Sequence, residues 1–376
     1  MTGFGFNING FGVFSAVVQG PELWTWGSGT YGELGHSNET SYSSPVQVGA
    51  EVNWSNGSVK SSSTVVVTTD GTIFTMGNAK YGRLGHGNTT KYSSPKQVGA
   101  LTDWASGSMG QSHCMGLKTD GTLWGWGKNH RGQLGDGPTT DRSSPVQGGA
   151  LTNWAFVESG REMTVARKTD GTIWSWGYGF GGRLGQNNTS NISSPTQIGA
   201  LTTWATISAG NQHGMAVKTD GTLWAFGQDP DYGWLGLGVT TNYSSPKQVG
   251  ALTTWAFASC GTQHTIAVKT DGTIWTWGNG ASGSLGHGNS TSLSSPVQVG
   301  SLTDWSSTNS KTSAGDRCNA MIKTDGTLWT WGINSTGRLG NGGTGAVSSP
   351  AQIGALTNWA FVDIGATGLG ITTDPS

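Results

Sequence analysis

Apolar and polar positions alternate in short runs along this chain, each run of strand length and bounded by turn residues. Asp170-Gly171-Thr172-Ile173-Trp174-Ser175-Trp176-Gly177 is typical, and Asp-Gly pairs recur at 70/71, 120/121, 220/221, 271/272 and 325/326. Asp-Gly between two apolar runs predicts a hairpin, because Gly accepts positive φ and Asp can bond its own backbone. After the turn, Trp174 and Trp176 stand two apart and so point to one side of a strand.

The spacing is nearly metronomic. The second aromatic-strand position (Trp26, Met76, Trp126, Trp176, Phe226, Trp277, Trp331) precedes a Ser-Ser-Pro proline by 19 residues, with one exception of 20. Nine residues beyond each proline stand Trp54, Trp104, Trp154, Trp204, Trp255, Trp305 and Trp359. In five periods the next turn Asp follows 16 residues later, so the unit is about 50 residues, repeated seven times. In the third unit strands are expected at 123–126, at Pro145 to Gln147, at 151–156 and at 163–168. A four-stranded unit cannot bury its own faces, so neighbours must pack together, and radial closure protects the edges.

The fold expected is therefore an all-β, seven-bladed propeller over residues 14–376, with four-stranded blades and a ring closed by N- and C-terminal strands in one blade. Val13 to Val18 and residues 368–373 both resemble the strand that precedes an Asp-Gly turn, and both compete for that closing position. Residues 1–13 have no counterpart in the repeat. They read as an N-terminal arm or contact segment, with Phe4, Phe6 and Phe11 as assembly contacts. The seven recurring tryptophans, Trp54 through Trp359, read as structural.

Composition narrows the partners. Gly numbers 64 and charged residues only 11%, which suits many short strands and turns. A net charge of -1 without any basic run argues against nucleic acid and anionic membranes. Cys114, Cys260 and Cys318 are odd in number and irregularly spaced, like neither a disulfide framework nor a zinc site. The N-terminus lacks the pattern of a secretory signal, and no stretch reaches the length of a membrane span.

The unit Asp-Gly-Thr-Leu-Trp-x-Trp-Gly, Gly-x-Leu-Gly, Ser-Ser-Pro, then Gly-x-x-His resembles the repeat of the regulator of chromosome condensation family. The signature is carried by Gly121, Trp126, Gly127, Gly132, Leu134, Gly135 and Pro145, with His113, His213 and His264 in the strand before later turns. The resemblance implies a seven-bladed propeller. The family's founding member is a guanine-nucleotide exchange factor that also binds nucleosomes, but its protruding wedge and basic tail have no counterpart here. Exchange is therefore the least favoured reading.

No catalytic, metal or cofactor site emerges. The Asp-Gly carboxylates stand one per blade rather than as a close pair, and neither a Gly-x-Ser-x-Gly elbow nor a Walker-type loop is present. The His113 position holds Ser63, Met163 or Cys318 in other units, which does not fit a metal shell. Recognition is expected instead from the loops after the aromatic strand, where units differ: Tyr81, His130, Arg131, Tyr178, Phe180, Tyr232 and Trp234. Trp234 stands out because other units have Glu33, Arg83, Gln133, Arg183, Ser284 and Arg338 there. The role expected is a non-catalytic structural or decorating protein of a bacteriophage virion, contacting other virion or surface proteins, or a host glycan. The alternative is a bacterial protein- or glycan-binding propeller. The expected location is the virion, otherwise the cytoplasm or outside the cell without a visible signal.

Overall fold

The computed structural model describes residues 20–373, and among them the strands form seven separate four-stranded antiparallel sheets. Six blades run in chain order from the axis outward, at 54–97, 104–147, 154–197, 204–248, 255–298 and 312–352. The closing blade takes two inner strands from the C-terminal end, Trp359–Ile364 and Thr367–Thr372, and two outer strands from the N-terminal end, Leu23–Gly27 and Tyr42–Gln47. The strand Thr367–Thr372 fills the contested position, pairing Leu23 with Ile371 and Trp26 with Gly368. Residues 13–18, its competitor, lie outside the described residues, as do residues 1–13 with Phe4, Phe6 and Phe11.

Local chemistry sets the strand ends. At the second-to-third-strand turn of the second blade, Asp120 Oδ1 accepts from the Thr122 amide at 2.9 Å and its hydroxyl at 2.7 Å. Gly121 sits at φ +77, and a Cβ there would lie 2.3 Å from the Thr152 carbonyl oxygen, so the position is glycine for two reasons. The inner strand begins at Trp154 rather than Leu151, because residues 151–153 form the exposed connection between blades. The outermost strand begins at Arg142, ahead of Pro145. Its ladder is broken between Arg142 and Val146, so the proline falls where no ladder amide is needed.

Each blade grips the next through the Gly-x-Leu-Gly loop. A Cβ on Gly132 would strike Ser193 of the following blade's Ser-Ser-Pro at 2.4 Å, and one on Gly135 would strike Trp176 at 2.8 Å. Apolar clusters accordingly span pairs of blades, as where Val65 and Ile73 of one pack with Trp104 and Trp126 of the next. Trp104, Trp154, Trp204, Trp255 and Trp305 also carry the ammonium of Lys118, Lys168, Lys218, Lys269 or Lys323 over their rings, at 5.0 to 5.3 Å.

Candidate functional site

One face of the ring carries two sets of loops: the hairpins between inner and second strands, and the longer loops between third and outermost strands. Arg83 joins the two sets, its Nη1 donating to the carbonyls of Ser61 at 3.2 Å and Gln111 at 2.9 Å. The longer loops are held tightly. Asn129, for example, is fully buried, its amide donating to Asp136 Oδ1 and the Pro138 carbonyl while its Oδ1 accepts from the Leu134 amide. Loop tips therefore project from a rigid base, which lowers the entropy lost on binding.

The tips of consecutive blades meet. Tyr81 of the first blade lies edge-on to His130 of the second, with ring centroids 6.1 Å apart. Lys80 and Lys128 approach the Tyr81 ring at 5.0 and 5.7 Å, and Lys128 is paired with Glu162 at 2.8 Å. Arg131 reaches forward to the third blade and covers Tyr178 at 4.5 Å, with Arg183 also on that ring at 4.6 Å. Tyr178 stacks on Phe180 with centroids 6.0 Å apart and planes 14° apart. Phe180 is 57% exposed and Tyr232, on the fourth blade's loop, 38%. Burial pulls the Arg183 guanidinium down to about 10, which leaves it charged at neutral pH.

Tyr81, His130, Arg131, Tyr178 and Phe180 thus form one stripe across three blades, with Tyr232 following on the next. Tyr31 of the closing blade, 44% exposed, extends the arc at its other end. It occupies the same loop position as Tyr81, a match visible in the aligned repeats. The equivalent positions of the fifth and sixth blades are Ser282 and Thr336, so the arc is one-sided.

Trp234 does not belong to this surface. It is 2% exposed, its amide donates to Asp229 Oδ1 at 2.7 Å, and its carbonyl accepts from Trp277 Nε1 at 2.9 Å. Its ring lies 6.1 Å from that of buried His213. The position points under the loop toward the next blade, and Glu33, Arg83, Gln133, Arg183, Ser284 and Arg338 are buried there too. Variation at this site reflects different ways of filling a pocket between blades, not exposure.

The three inner histidines are packing groups. His113 Nε2 meets Thr164 Oγ1 at 3.1 Å, His213 meets Thr265 at 3.0 Å, and His264 meets Asn319 Oδ1 at 2.9 Å, each on the next blade. Burial drives their pKa values down to about 3, 3 and 4, so they are neutral at physiological pH. Among the described residues no group of three His, Cys, Asp or Glu is placed to hold a metal, and no helix is long and apolar enough to cross a membrane.

Known proteins resemble this chain in both fold and sequence. Human WBSCR16 superposes with a TM-score of 0.84 at 19% identity, over 95% of this chain and 100% of that one. Yeast RCC1 (Prp20), solved with Kap60, gives 0.82 at 17% identity, over 96% of this chain and 90% of that one. Identity at this level speaks for the fold alone. Among curated relatives, human E3 ubiquitin-protein ligase HERC2 is 28% identical over 130 residues, 34% of this chain but 3% of the ligase. The Arabidopsis thaliana ultraviolet-B receptor UVR8 is 31% identical over 124 residues, 32% of this chain and 28% of the receptor. The family's sequence profile covers residues 22–369, nearly the whole ring: the chain belongs to the RCC1-like domain family.

Proposed function

We propose that this propeller is a non-catalytic contact module, a structural or decorating component of a bacteriophage virion that binds a protein or host surface through its loop arc. The observation that carries the contact role is the stripe from Tyr81 through His130 and Arg131 to Tyr178 and Phe180. Aromatic and Arg side chains on a rigid base are the residues that anchor interfaces. The virion setting is supported by uniform units, by the low share of charged residues, 11%, and by a Phe-rich N-terminal segment that stands outside the repeat. Each is a property suited to ordered assembly with neighbours.

The yeast relative is described by its binding to Gsp1p and histones. That role is not carried over, because the loops here are short and nearly equal in length. The longest inserted segment, between Trp305 and Asp325, forms a 3-10 turn, Asn309–Lys311, that leads into an inner strand instead of projecting beside the arc. The nearly parallel Tyr178 and Phe180 rings favour a second reading, a bacterial propeller that binds glycan.

Immunogold labelling of particles purified from the native source tests the setting. Label on particles, lost when residues 1–13 are deleted from an otherwise folded chain, supports the virion reading. A chain found only as a free monomer overturns it. A glycan-array signal that disappears in Phe180→Ser would move the assignment to the second reading.

A further inference from the structure

The inner strands of all seven blades surround an axial cavity of about 240 Å³. At one level of that cavity five blades place a serine: Ser58, Ser108, Ser208, Ser259 and Ser313. Four of these bridge to the next inner strand. Ser108 Oγ accepts from the Ser159 amide at 2.8 Å, Ser208 from Cys260 at 3.1 Å, Ser259 from Ala314 at 3.0 Å and Ser313 from Ile364 at 3.2 Å. A hydroxyl is thus sufficient to tie one blade to another at this level.

Two blades carry a carboxylate there instead, Glu158 and Asp363. Two residues further on, where six blades have glycine, the first blade has Lys60. In the second blade a Cβ at the equivalent Gly110 would lie 2.4 Å from the His113 ring. Lys60 faces the smaller Ser63, which leaves room for its side chain. The chain's longest insertion turns to the same place: its 3-10 turn Asn309–Lys311 puts Asn309 and Ser310 on the cavity wall. In a chain of nearly uniform units, the charged departures and the longest insertion converge on a single cavity.

Other blades fill these positions with serine and glycine, and Lys60 and Glu158 are half-buried, where holding a charge costs desolvation. Lys60 Nζ spends one donor on the Ser159 carbonyl, two blades away, at 3.0 Å. Glu158 Oε1 accepts from the Ser208 hydroxyl at 3.2 Å. Among the described residues, neither Lys60 nor Glu158 has an opposite charge within the 4.0 Å of an ion pair. Thr312, 5% exposed on the same wall, has a hydroxyl without any hydrogen-bond partner. Asp363 accepts from the Val59 amide at 2.8 Å and the Ser313 hydroxyl at 2.6 Å, and so does the bridging work of a serine; Glu158 is likewise bonded to the Ala209 backbone amide, with the rest of its carboxylate facing the cavity.

We propose that the axial cavity is a binding site for a small zwitterion of the α-amino-acid class, its carboxylate on Lys60 and its ammonium on Glu158. Such a ligand bridges two opposite charges that do not reach each other, and the Thr312 hydroxyl supplies a further polar contact. Phe156 and Phe361, also on the wall, offer apolar surface to its side chain. The volume lies below the roughly 300–1,000 Å³ of pockets for drug-sized molecules and suits a single metabolite. A second cavity of about 340 Å³, lined by Lys60, Arg161 and Asp316 among the hairpins, shares Lys60 with the first and lies on the side of the ring that carries the aromatic arc.

The repeat itself supplies the test variants. Lys60→Gly and Glu158→Ser restore residues that other blades already tolerate. The full chain is titrated calorimetrically with each common L-amino acid, and with acetate and methylamine as single-charge probes. The expected result is that at least one amino acid binds and raises Tm, while acetate and methylamine do not. Both variants should lose at least about tenfold in affinity with an unliganded Tm equal to or above that of the parent. Failure of every amino acid to bind, or equal binding by both variants, overturns the proposal. A lower unliganded Tm in both variants also overturns it, since the charges would then be holding the ring together.

Discussion

Trp26 Nε1 donates to the carbonyl of Arg338 at 2.8 Å, joining residues 312 positions apart in the chain. The same bond recurs inside the ring, from Trp176 to Gln133 at 2.9 Å and from Trp277 to Trp234 at 2.9 Å. The closing interface is therefore built like the interior ones, and the two chain ends are held by the repeat's own chemistry. Trp26→Phe leaves the Arg338 carbonyl buried without its partner. It should lower stability by about 1–3 kcal/mol, read as a lower urea midpoint with an unchanged m-value. Removal of residues 367–376 strips the pairing partner from Leu23–Gly27 and should abolish the cooperative transition.

The tryptophan that begins the inner strand in six of the blades fills the wedge between blades. Trp204 is 3% exposed and packs with Val165 and Ile173 of the preceding blade and Phe226 of its own. Trp204→Ala should cost about 3–5 kcal/mol through the cavity it leaves, measured by denaturant unfolding.

Phe180 and Trp234 should respond in opposite ways. Phe180 projects from a loop tip, so Phe180→Ser should change stability by no more than about 0.5 kcal/mol yet weaken binding to the partner surface. Trp234→Ala should destabilise the fold by about 3–5 kcal/mol by emptying the space beside His213. Paired melting and binding measurements on the two variants check this. Equal melting of both would refute the assignment of Trp234 to the interior.

Buried neutral histidines predict acid sensitivity. His113, His213 and His264 have pKa values near 3, 3 and 4 in the fold against an ordinary 6.5. Burial is the main cause, with Lys60, Arg83 and Lys128 adding to it at His113, and Asp316 and Arg317 close to His264. The unfolded chain binds more protons below 6.5, so this stability is complete above that pH and is lost as pH falls toward 3–4. Tm should decline from about pH 6.5 downward, and less steeply in His213→Asn.

Glu158 carries the opposite sign. Burial pushes its carboxyl from 4.5 up to about 7, a rise that Lys60 opposes and Asp363 reinforces, with the Ser208 hydroxyl bonded to it and the Cys260 thiol nearby. The folded state then binds more protons between those values. Its contribution is full below 4.5 and is lost as pH rises through 7. The Tm of Glu158→Ser relative to the parent should therefore increase from about pH 5 to pH 7 and level off above it.

Much of this molecule is legible in its sequence because the repeat is read seven times over. Asp-Gly turns, Ser-Ser-Pro strands and the tryptophan period specify local strands and hairpins, and their spacing counts the blades. Short-range hydrogen bonds such as Asp120 to Thr122 decide those features, and they involve neighbours in the chain. Residues Tyr81, His130, Arg131, Tyr178 and Phe180 could likewise be singled out, since they vary where the scaffold does not.

What the sequence could not decide was direction and proximity. Trp234 and Phe180 both look like loop aromatics, yet one turns under its loop toward the next blade and the other faces solvent. Only the packing of adjacent blades distinguishes them. Nor does any local pattern reveal that Lys60, Glu158, Asp363 and the inserted Asn309 share one cavity. Residues far apart in the chain meet at the axis because the ring closes, and closure is a property of all seven blades together. The sequence by itself determined the blade and the number of blades; the tertiary structure alone decided which departures from the repeat face one another.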